Sequence, residues 1–205
     1  MKKGRILFVI SAPSGTGKTS LLQKVLEQDC SLSLAISHTS RIPRKGEVNG
    51  KSYHFITTKQ FEALIEKNYF VEYACVHGNY YGTSWQEIDD MHVRNKNILL
   101  EIDVQGAAQI KLKYPQAVLI FIAPPSLEAL RDRLYSRNSD ATDTIQTRLT
   151  NAQNEMRQAA NFDYLVVNKN FERAVNDLCC IFRAEELAVN RNQDILSEIS
   201  FTMKQ

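Results

Sequence analysis

The sequence predicts an α/β protein in which a central, mostly parallel β-sheet is covered by helices on both faces, giving three layers. Short runs of continuously apolar residues recur along the chain, the first at residues 6–10, and such runs are typical of strands buried on both faces. Segments with apolar residues at helical spacing separate these runs. The first run leads into a glycine-rich loop and then a helix, and strands that alternate with helices indicate a parallel sheet.

Each predicted element rests on a local pattern. The strand at 6–10 is Ile-Leu-Phe-Val-Ile, and the helix at 18–28 has Leu21, Leu22, Val25 and Leu26 on one face. Later strands are predicted at residues 98–103, 117–123 and 164–167. Further helices are predicted at residues 58–67, 84–94, 126–137, 142–160 and from about 171. Beyond residue 190, apolar residues recur at near-helical spacing, which leaves open whether the tail covers the core or joins a partner subunit.

Composition divides the chain, residues 1–205, into parts of a single domain. The core comprises about 1–34, 96–125 and 160–205 and carries the predicted sheet. Residues 35–95 are dense in aromatic residues and turn signals and predict a small mixed α/β lobe, in which Asn49-Gly50 is typical of a β-hairpin turn. Residues 126–159 are predicted to be polar helices with many arginines.

Bulk composition excludes several classes of protein. The 205 residues carry a net charge of only +2, so the molecule as a whole is not a polycation that coats nucleic acid. The apolar runs are too short to span a membrane, and the first leads directly into a glycine-rich loop, which argues against a signal peptide. The cysteines, Cys30, Cys75, Cys179 and Cys180, have no metal-ligand spacing. We therefore expect a cytoplasmic protein without nucleic-acid or membrane partners, whose oligomeric state the sequence does not determine.

Residues 12–19, Ala-Pro-Ser-Gly-Thr-Gly-Lys-Thr, resemble the phosphate-binding pattern G-x-x-x-x-G-K-[ST]. Glycines let backbone N–H groups approach phosphate oxygens, and the following helix N-terminus adds its positive dipole end. Lys18 would reach the β and γ phosphates of ATP, and the Thr19 hydroxyl would bind Mg²⁺. The first glycine of the pattern is replaced by Ala12, and the alternative is a glycine-rich turn with an exposed lysine. The candidate ATP-binding residues here are Ala12, Pro13, Ser14, Gly15, Thr16, Gly17, Lys18, Thr19 and Ser20.

Three further segments resemble the acceptor-binding region of guanylate kinases: residues 37–55, 72–74 (Glu-Tyr-Ala) and 78–83 (Gly-Asn-Tyr-Tyr-Gly-Thr). The resemblance extends from about residue 6 to about residue 186, with the motifs in the family's order. It implies a three-layer P-loop kinase fold with a nucleoside monophosphate-binding lobe at 35–95 and a helical lid at 126–159. The reaction it implies is transfer of the γ-phosphoryl group of ATP to GMP, giving ADP and GDP, in purine nucleotide metabolism and GMP recycling.

Four residues of the resemblance suit the phosphate of GMP. Arg41 and Arg44 flank Pro43 and are able to form a bidentate clamp on a dianionic phosphate. Tyr53 and Tyr81 add hydroxyl donors. The alternative for the arginines is a solvated basic turn.

Three other residues suit the guanine base, which presents N1–H and N2–H₂ donors beside an O6 acceptor. Glu72 matches the family position whose carboxylate accepts from both donors, and Ser37 and Thr83 match positions that contact the base edge. Adenine would place an acceptor against Glu72, and polar sites of this kind discriminate strongly. Taken alone, Glu72 would be interpreted as an ordinary exposed strand carboxylate.

The predicted strand at 98–103 ends in two carboxylates, Glu101 and Asp103. The resemblance places Asp103 at the hydration shell of Mg²⁺, in the manner of strand-end aspartates in phosphate-loop enzymes. Glu101 is assigned either to guanosine or to the metal, or is only a strand-end polar residue. Both are candidate GMP-binding residues, and Thr19 and Asp103 are the candidate metal residues, directly or through water.

Arg133, Arg137 and Arg148 match the lid of the family, which closes over the triphosphate. Transferring a phosphoryl group spreads negative charge over its oxygens, so arginines delivered by a closing lid stabilise the transition state. Asn138 stands where relatives commonly have glycine. Asn168 matches a position near the adenine of ATP. The candidate catalytic residues are Lys18, Arg41, Arg137 and Arg148.

Other functions remain to be weighed against this hypothesis. Scaffold proteins contain guanylate kinase-like modules that bind partners, but these typically have a damaged phosphate loop, whereas Lys18, Thr19 and Asp103 are present here. A phosphate-loop kinase with another acceptor would not need the combination of Glu72, Ser37 and Thr83. A switch-type NTPase would not need a second phosphate clamp. The selectivity for ATP and the acceptance of dGMP are left open.

Overall fold

The computed structural model describes residues 5–29, 31–93, 96–136 and 142–202. A five-stranded parallel sheet forms the centre, in the order β2-β7-β1-β8-β9. Its strands are β1 (Leu7–Ser11), β2 (Leu32–Leu34), β7 (Asn97–Glu101), β8 (Val118–Ala123) and β9 (Tyr164–Val167). The predicted α/β class with a central parallel sheet is therefore confirmed.

A second, four-stranded sheet lies within residues 38–84, in the order β4-β3-β6-β5. Its strands are β3 (His38–Thr39), β4 (His54–Phe55), β5 (Phe70–Val76) and β6 (Asn79–Ser84). A two-residue turn joins β5 to β6, and both of its residues, His77 and Gly78, have positive φ, at 50° and 76°, as a tight hairpin turn requires. This sheet falls inside the lobe predicted at 35–95.

Eight α-helices occur within the described part of the chain. They are α1 (Lys18–Gln28), α2 (Thr58–Glu66), α3 (Trp85–Val93), α4 (Val104–Lys113), α5 (Leu127–Ser136), α6 (Thr142–Gln158), α7 (Phe171–Leu187) and α8 (Gln193–Thr202). Short 3₁₀ turns follow α6 and α7, at Ala159–Asn161 and Val189–Arg191. None of the helices described is long and apolar enough to cross a membrane.

Strand β1 divides the core because its side chains alternate between the two faces of the sheet. Phe8 and Ile10 pack on one side with α1 and α7, where the rings of Phe8 and Phe182 meet edge to face at 4.7 Å. Leu7 and Val9 pack on the other side with residues of α3 and α4. Burial on both faces explains why the strand is a continuous apolar run.

Three features differ from the sequence-based predictions. Helix α4 was not predicted, because Gly106 and scattered polar residues weaken its apolar pattern, and its N-cap is Asp103, so the strand predicted to reach Asp103 ends at Glu101. Strand β2 was not predicted and has only three residues. The turn at Asn49-Gly50 is present, with Gly50 at a φ of 75°, but β3 and β4 on either side of it pair in parallel, so it does not close a hairpin.

Candidate active site

The glycine-rich loop follows the carboxyl end of β1, the middle strand of the sheet. Gly15 and Gly17 have φ values of 89° and 90°, in the region that glycine adopts at low cost. The Thr16 N–H and hydroxyl both donate to the Pro13 carbonyl, at 3.2 and 2.7 Å, which closes the loop. Helix α1 begins at Lys18 without a side-chain cap, so its N-terminal amides are directed at the space where an anion would bind.

Ala12 is compatible with this loop although the phosphate-binding pattern has glycine there. Within the described residues, positive φ occurs outside glycine only at Asn68 and His77, so Ala12 has a backbone conformation open to any L-residue. Its side chain packs against the core cluster beneath the sheet. The departure from the pattern therefore costs no backbone strain.

Lys18, Thr19 and Glu101 meet where β1 and β7 end. The Thr19 hydroxyl donates to Glu101 Oε1 at 2.8 Å, and the Lys18 ammonium lies 3.9 Å from the same oxygen and 3.4 Å from the Ile102 carbonyl. Glu101 is also close enough to Tyr53 to contribute to its raised pKa. Glu101 thus lies between the phosphate loop and the second sheet, while Ser20 is exposed on α1.

Two of the three predicted lid arginines contact the phosphate loop. Arg133 of α5 donates to the carbonyls of Thr16 and Asn168, at 3.3 and 3.1 Å, and Asn168 Nδ2 donates to the Thr16 carbonyl at 2.8 Å. Arg148 of α6 donates to the Ser14 hydroxyl at 2.6 Å. Arg137 and Asn138 lie outside the described residues.

Of the residues predicted to bind the acceptor phosphate, Tyr53 and Tyr81 lie close to Arg41. Its guanidinium lies 5.6 Å from the centre of the Tyr53 ring, and the Tyr81 hydroxyl is within its hydrogen-bonding reach. Burial raises the pKa of Tyr53 to about 12, which keeps the hydroxyl protonated and able to donate. The Arg44 side chain is exposed.

Glu47 contacts both predicted clamp arginines, and the sequence-based analysis did not identify it. Its Oε1 accepts from Arg41 Nη2 at 2.8 Å, and its Oε2 accepts from the Arg44 backbone N–H at 2.7 Å. The Arg41 hydrogen bond holds the pKa of Glu47 below its usual range, so the carboxylate is charged. Its position three residues after Arg44, within the same turn, was the available signal.

The three residues predicted for the guanine edge form one buried network. Glu72 of β5 is opposite Thr83 of β6, and Glu72 Oε1 accepts from the Thr83 hydroxyl at 2.7 Å. The Ser37 hydroxyl lies 3.1 Å from the Thr83 hydroxyl. Glu72 is only 2% exposed, and burial raises the pKa of its carboxyl to about 7.

Asp103 has a structural role that the sequence-based analysis did not identify. As the N-cap of α4 its Oδ1 accepts from the Gly106 N–H at 2.9 Å, and its Oδ2 accepts from Gln105 Nε2 at 3.0 Å. Such capping is the usual reason for an aspartate immediately before a helix.

Glu155 of α6 is a second residue that the sequence-based analysis missed. Burial raises the pKa of its carboxyl to about 7, with Lys18 and Asp103 both near enough to influence it. It lines a cavity of about 560 Å³ between α6, the start of α4 and the β5–β6 turn. Glu155 is seven residues after Arg148 and so lies on the same face of the helix, which is the signal that could have found it.

No group of three or more His, Cys, Asp or Glu side chains suited to a metal occurs among the residues described. Mg²⁺ in nucleotide enzymes usually takes one or two protein oxygens together with phosphates and water. The Thr19 hydroxyl and the Glu101 and Asp103 carboxylates are oxygen donors of that kind near the phosphate loop, so the residues present fit Mg²⁺.

The glycine-rich loop follows the central strand of the parallel sheet. Arginines of the predicted lid lie on one side of it, and the second sheet with the predicted arginine–tyrosine clamp lies on the other. This arrangement is that of a phosphate-loop kinase. The "Guanylate kinase" family profile matches residues 4–185. The guanylate kinase of Dechloromonas aromatica is 48% identical over 182 residues, covering 89% of this chain and 90% of that protein. The guanylate kinase of Neisseria gonorrhoeae is 45% identical, covering 97% and 96%.

A solved structure agrees with these sequence relatives. The crystal structure of guanylate kinase from Anaplasma phagocytophilum superposes with a TM-score of 0.78 at 32% identity, covering 93% of this chain and 91% of that one. The chain belongs to the guanylate kinase family.

Proposed function

We propose that the protein is an ATP:GMP phosphotransferase, which converts ATP and GMP to ADP and GDP and so serves purine nucleotide metabolism and GMP recycling. The observation that carries the proposal is the buried network of Glu72, Thr83 and Ser37. Glu72 and Thr83 lie in the same small sheet as Tyr81 of the Arg41 clamp, and Tyr53 of that clamp is close to Glu101, which contacts the phosphate loop through Thr19. A base-reading carboxylate, an acceptor-phosphate clamp and a donor-phosphate loop are the parts that this reaction needs.

The donor site is built on the phosphate loop. The backbone amides of residues 13–19 and the N-terminus of α1 bind the phosphates of ATP, and Lys18 binds the β and γ phosphates. Arg133 and Arg148 already lie against the loop, where they are placed to stabilise the charge of the transferred group. Asn168, hydrogen-bonded to Thr16, contributes to the adenine end of the site.

Mg²⁺ bound with ATP would be held by Thr19, with Glu101 and Asp103 nearby as direct ligands or through water. It would neutralise the developing charge on the β and γ phosphates. The sequence left open whether Glu101 faces guanosine or the metal, and the contact of Glu101 with Thr19 favours the metal.

The acceptor phosphate is bound by Arg41, Tyr53 and Tyr81, and the Arg44 side chain is exposed and so accessible to it. Glu47 holds the Arg41 guanidinium in place and leaves its remaining N–H groups for the phosphate.

The acceptor base is selected by Glu72. In its ionised form the carboxylate accepts from N1–H and N2–H₂ of guanine, while adenine presents an acceptor at N1. Thr83 and Ser37 orient the carboxylate and contact the base edge. Sites that bind polar groups of a substrate reject analogues that leave those groups unpaired.

The reaction needs neither a general base nor a covalent intermediate. An oxygen of the GMP phosphate, already an anion, attacks the γ phosphorus in line with the bridging oxygen of ATP. The new P–O bond forms as the γ–β bridge breaks, and the negative charge leaves with ADP. Lid arginines stabilise the transferred group and exclude the water that would otherwise hydrolyse ATP.

A cytoplasmic site of action is also part of the proposal. The described cysteines, Cys75, Cys179 and Cys180, are free thiols, which suits a reducing compartment.

The test follows ADP formation from Mg·ATP with GMP, AMP, CMP, UMP or no acceptor. We expect turnover with GMP alone, and the Lys18→Met variant, which loses the ammonium at the loop, is expected to abolish it while GMP still binds. Equal rates with several acceptors would leave a kinase but reject the guanine assignment. GMP binding without any turnover in the unmodified protein would favour a partner-binding module.

A further inference from the structure

Helix α4 packs across β5 at the position of Glu72 and contacts the residues before and after it. The Lys113 ammonium donates to the Val71 carbonyl oxygen. Gln109 binds Tyr73 in both directions, since its Oε1 accepts from the Tyr73 N–H at 3.2 Å and its Nε2 donates to the Tyr73 carbonyl at 2.7 Å. The helix thus takes hydrogen bonds that a neighbouring strand would otherwise make, and it fixes the β5 backbone on both sides of Glu72.

Gly106 is where the same helix meets the Glu72 side chain. Positions 106, 109 and 113 are three, four and seven residues apart and share one face of α4. A Cβ at position 106 would overlap Glu72 Oε2 and would lie 3.3 Å from both Glu72 Cδ and Ile102 Cδ1. Gly106 is not one of the glycines with positive φ. Space for the carboxylate, and not backbone conformation, therefore requires glycine here.

Helix propensity strengthens this argument. Gly106 lies in the first turn of α4, where glycine costs less than the roughly 1 kcal/mol of a helix interior, but α4 would still be better formed with alanine at 106. The glycine stands where the helix lies against the carboxylate. On its other side, Glu72 Oε1 accepts from the Thr83 hydroxyl, so the carboxylate is held between the hydroxyl of β6 and the α-carbon of Gly106.

We propose that α4 is a positioning platform for the guanine-reading carboxylate and that Gly106 sets where Glu72 stands. The inference rests on the proposed function, in which Glu72 accepts from N1–H and N2–H₂ of guanine. A methyl group at 106 pushes the carboxylate toward the acceptor cleft and out of line with both donors. Gly106 is a positioning residue for specificity and touches neither substrate.

The test measures kcat and KM for GMP and IMP, whose base lacks the 2-amino group, in Gly106→Ala. A displacement on the order of 1 Å costs about 100-fold in a site of this kind, so we expect kcat/KM for GMP to fall by about that factor, mainly through KM. The advantage of GMP over IMP falls with it. The affinity for ATP, which binds at the loop, stays unchanged.

A second variant distinguishes positioning from a general packing defect. Glu72→Asp shortens the side chain by one methylene group and gives room for a Cβ at 106. We expect Gly106→Ala to cost much less in the Glu72→Asp background than in the natural one, a coupling that a packing defect elsewhere in α4 would not give. The matched control is Leu112→Ala on the same helix, where the side chain is 83% exposed.

The outcomes separate the two proposals. If the unmodified protein prefers GMP but Gly106→Ala keeps kcat/KM for GMP within about twofold, the platform is rejected and the proposed function stands. If the unmodified protein shows no guanine preference, both are rejected. Should Gly106→Ala not fold, Gln109→Ala releases Tyr73 without touching the carboxylate, and we expect a raised KM for GMP with kcat retained; an unchanged KM would reject the platform.

Discussion

At the scale of single residues, the site depends on a carboxylate that folding disfavours. Glu72 is buried, and desolvation raises the pKa of its carboxyl to about 7 against the partial relief given by the Thr83 hydrogen bond. Asp103 adds repulsion, and Lys113 opposes it. The charged form is therefore short of hydrogen-bond donors in the free protein, and a ligand that brings two N–H donors, as guanine does, would stabilise it.

This raised pKa predicts how GMP use depends on pH. Below a pH of about 7 the free protein carries Glu72 protonated, so kcat/KM for GMP should fall about tenfold for each further pH unit. Above that pH the carboxylate is charged and the dependence levels off. Initial rates at low GMP concentration and saturating ATP, taken from about pH 5 to about pH 9, measure this profile.

Glu72→Gln is the matched control for that profile. It retains the titration of the GMP phosphate and of Glu155, and it removes only the Glu72 carboxylate. We expect a lower kcat/KM for GMP and loss of that part of the decline at acid pH that protonation of Glu72 causes. An identical acid limb in Glu72→Gln would show that another group is responsible.

At the scale of elements, α4 links the two sheets. Its N-cap, Asp103, ends the turn after β7, its buried residues Ala107 and Ile110 belong to the core, and its polar face holds β5. Asp103 caps the helix, and under the proposed function its charge would also act on Mg²⁺, so the two roles are separable.

The substitution Asp103→Asn should separate these duties. Asparagine and aspartate are equivalent N-caps, so we expect the free energy of unfolding to change by less than about 0.5 kcal/mol. Loss of the charge should raise the Mg²⁺ concentration needed for half-maximal rate by about 10- to 100-fold. Urea denaturation and a Mg²⁺ titration of the rate measure the two effects.

The α7 cap supplies the control for this experiment. Asn170 accepts from the Arg173 N–H at 3.0 Å, and Asn170→Ala should cost about 1 kcal/mol of stability with no change in Mg²⁺ dependence. A natural Mg²⁺ dependence in Asp103→Asn would restrict Asp103 to capping.

At the scale of the whole molecule, α5 and α6 lie against the other two parts of the site. Arg133 and Arg148 contact the phosphate loop, and Asn151 of α6 lies 3.4 Å from the His77 ring nitrogen at the β5–β6 turn. These contacts bring the arginines of α5 and α6, the second sheet and the phosphate loop around one cleft.

Removing the Arg148 guanidinium should therefore slow phosphoryl transfer more than it weakens the binding of GMP. Arginines that stabilise a transferred phosphoryl group contribute about 1,000-fold or more to kcat, and we expect Arg148→Ala to lose about that factor with KM for GMP nearly unchanged. Single-turnover measurements of GDP formation check this. Arg157 is an exposed arginine on the same helix, and the Arg157→Ala variant should behave like the unmodified protein. An unchanged kcat in Arg148→Ala would contradict the catalytic role of Arg148.

Much of this molecule could be predicted from the sequence, because the patterns concerned are local. The alternation of buried strands and amphipathic helices predicted the parallel sheet, and helix α1 and strand β9 occur at the residues predicted for them. The phosphate loop is set by glycines within a few residues of one another. The resemblance in residues 37–83 named Ser37, Glu72 and Thr83, which the structure brings together in one network.

Tertiary structure alone decided the contacts between residues far apart in the chain. Periodicity did not indicate that 104–113 is a helix, because the apolar pattern of this segment is weak. Its packing against β5 and the core stabilises the helix instead. Nor did periodicity reveal that Gly106 meets Glu72, or that Arg148 reaches Ser14 across 134 positions of sequence. Local backbone preference and burial pattern are written in neighbouring residues, whereas the position of a side chain in a site depends on which distant elements pack against it.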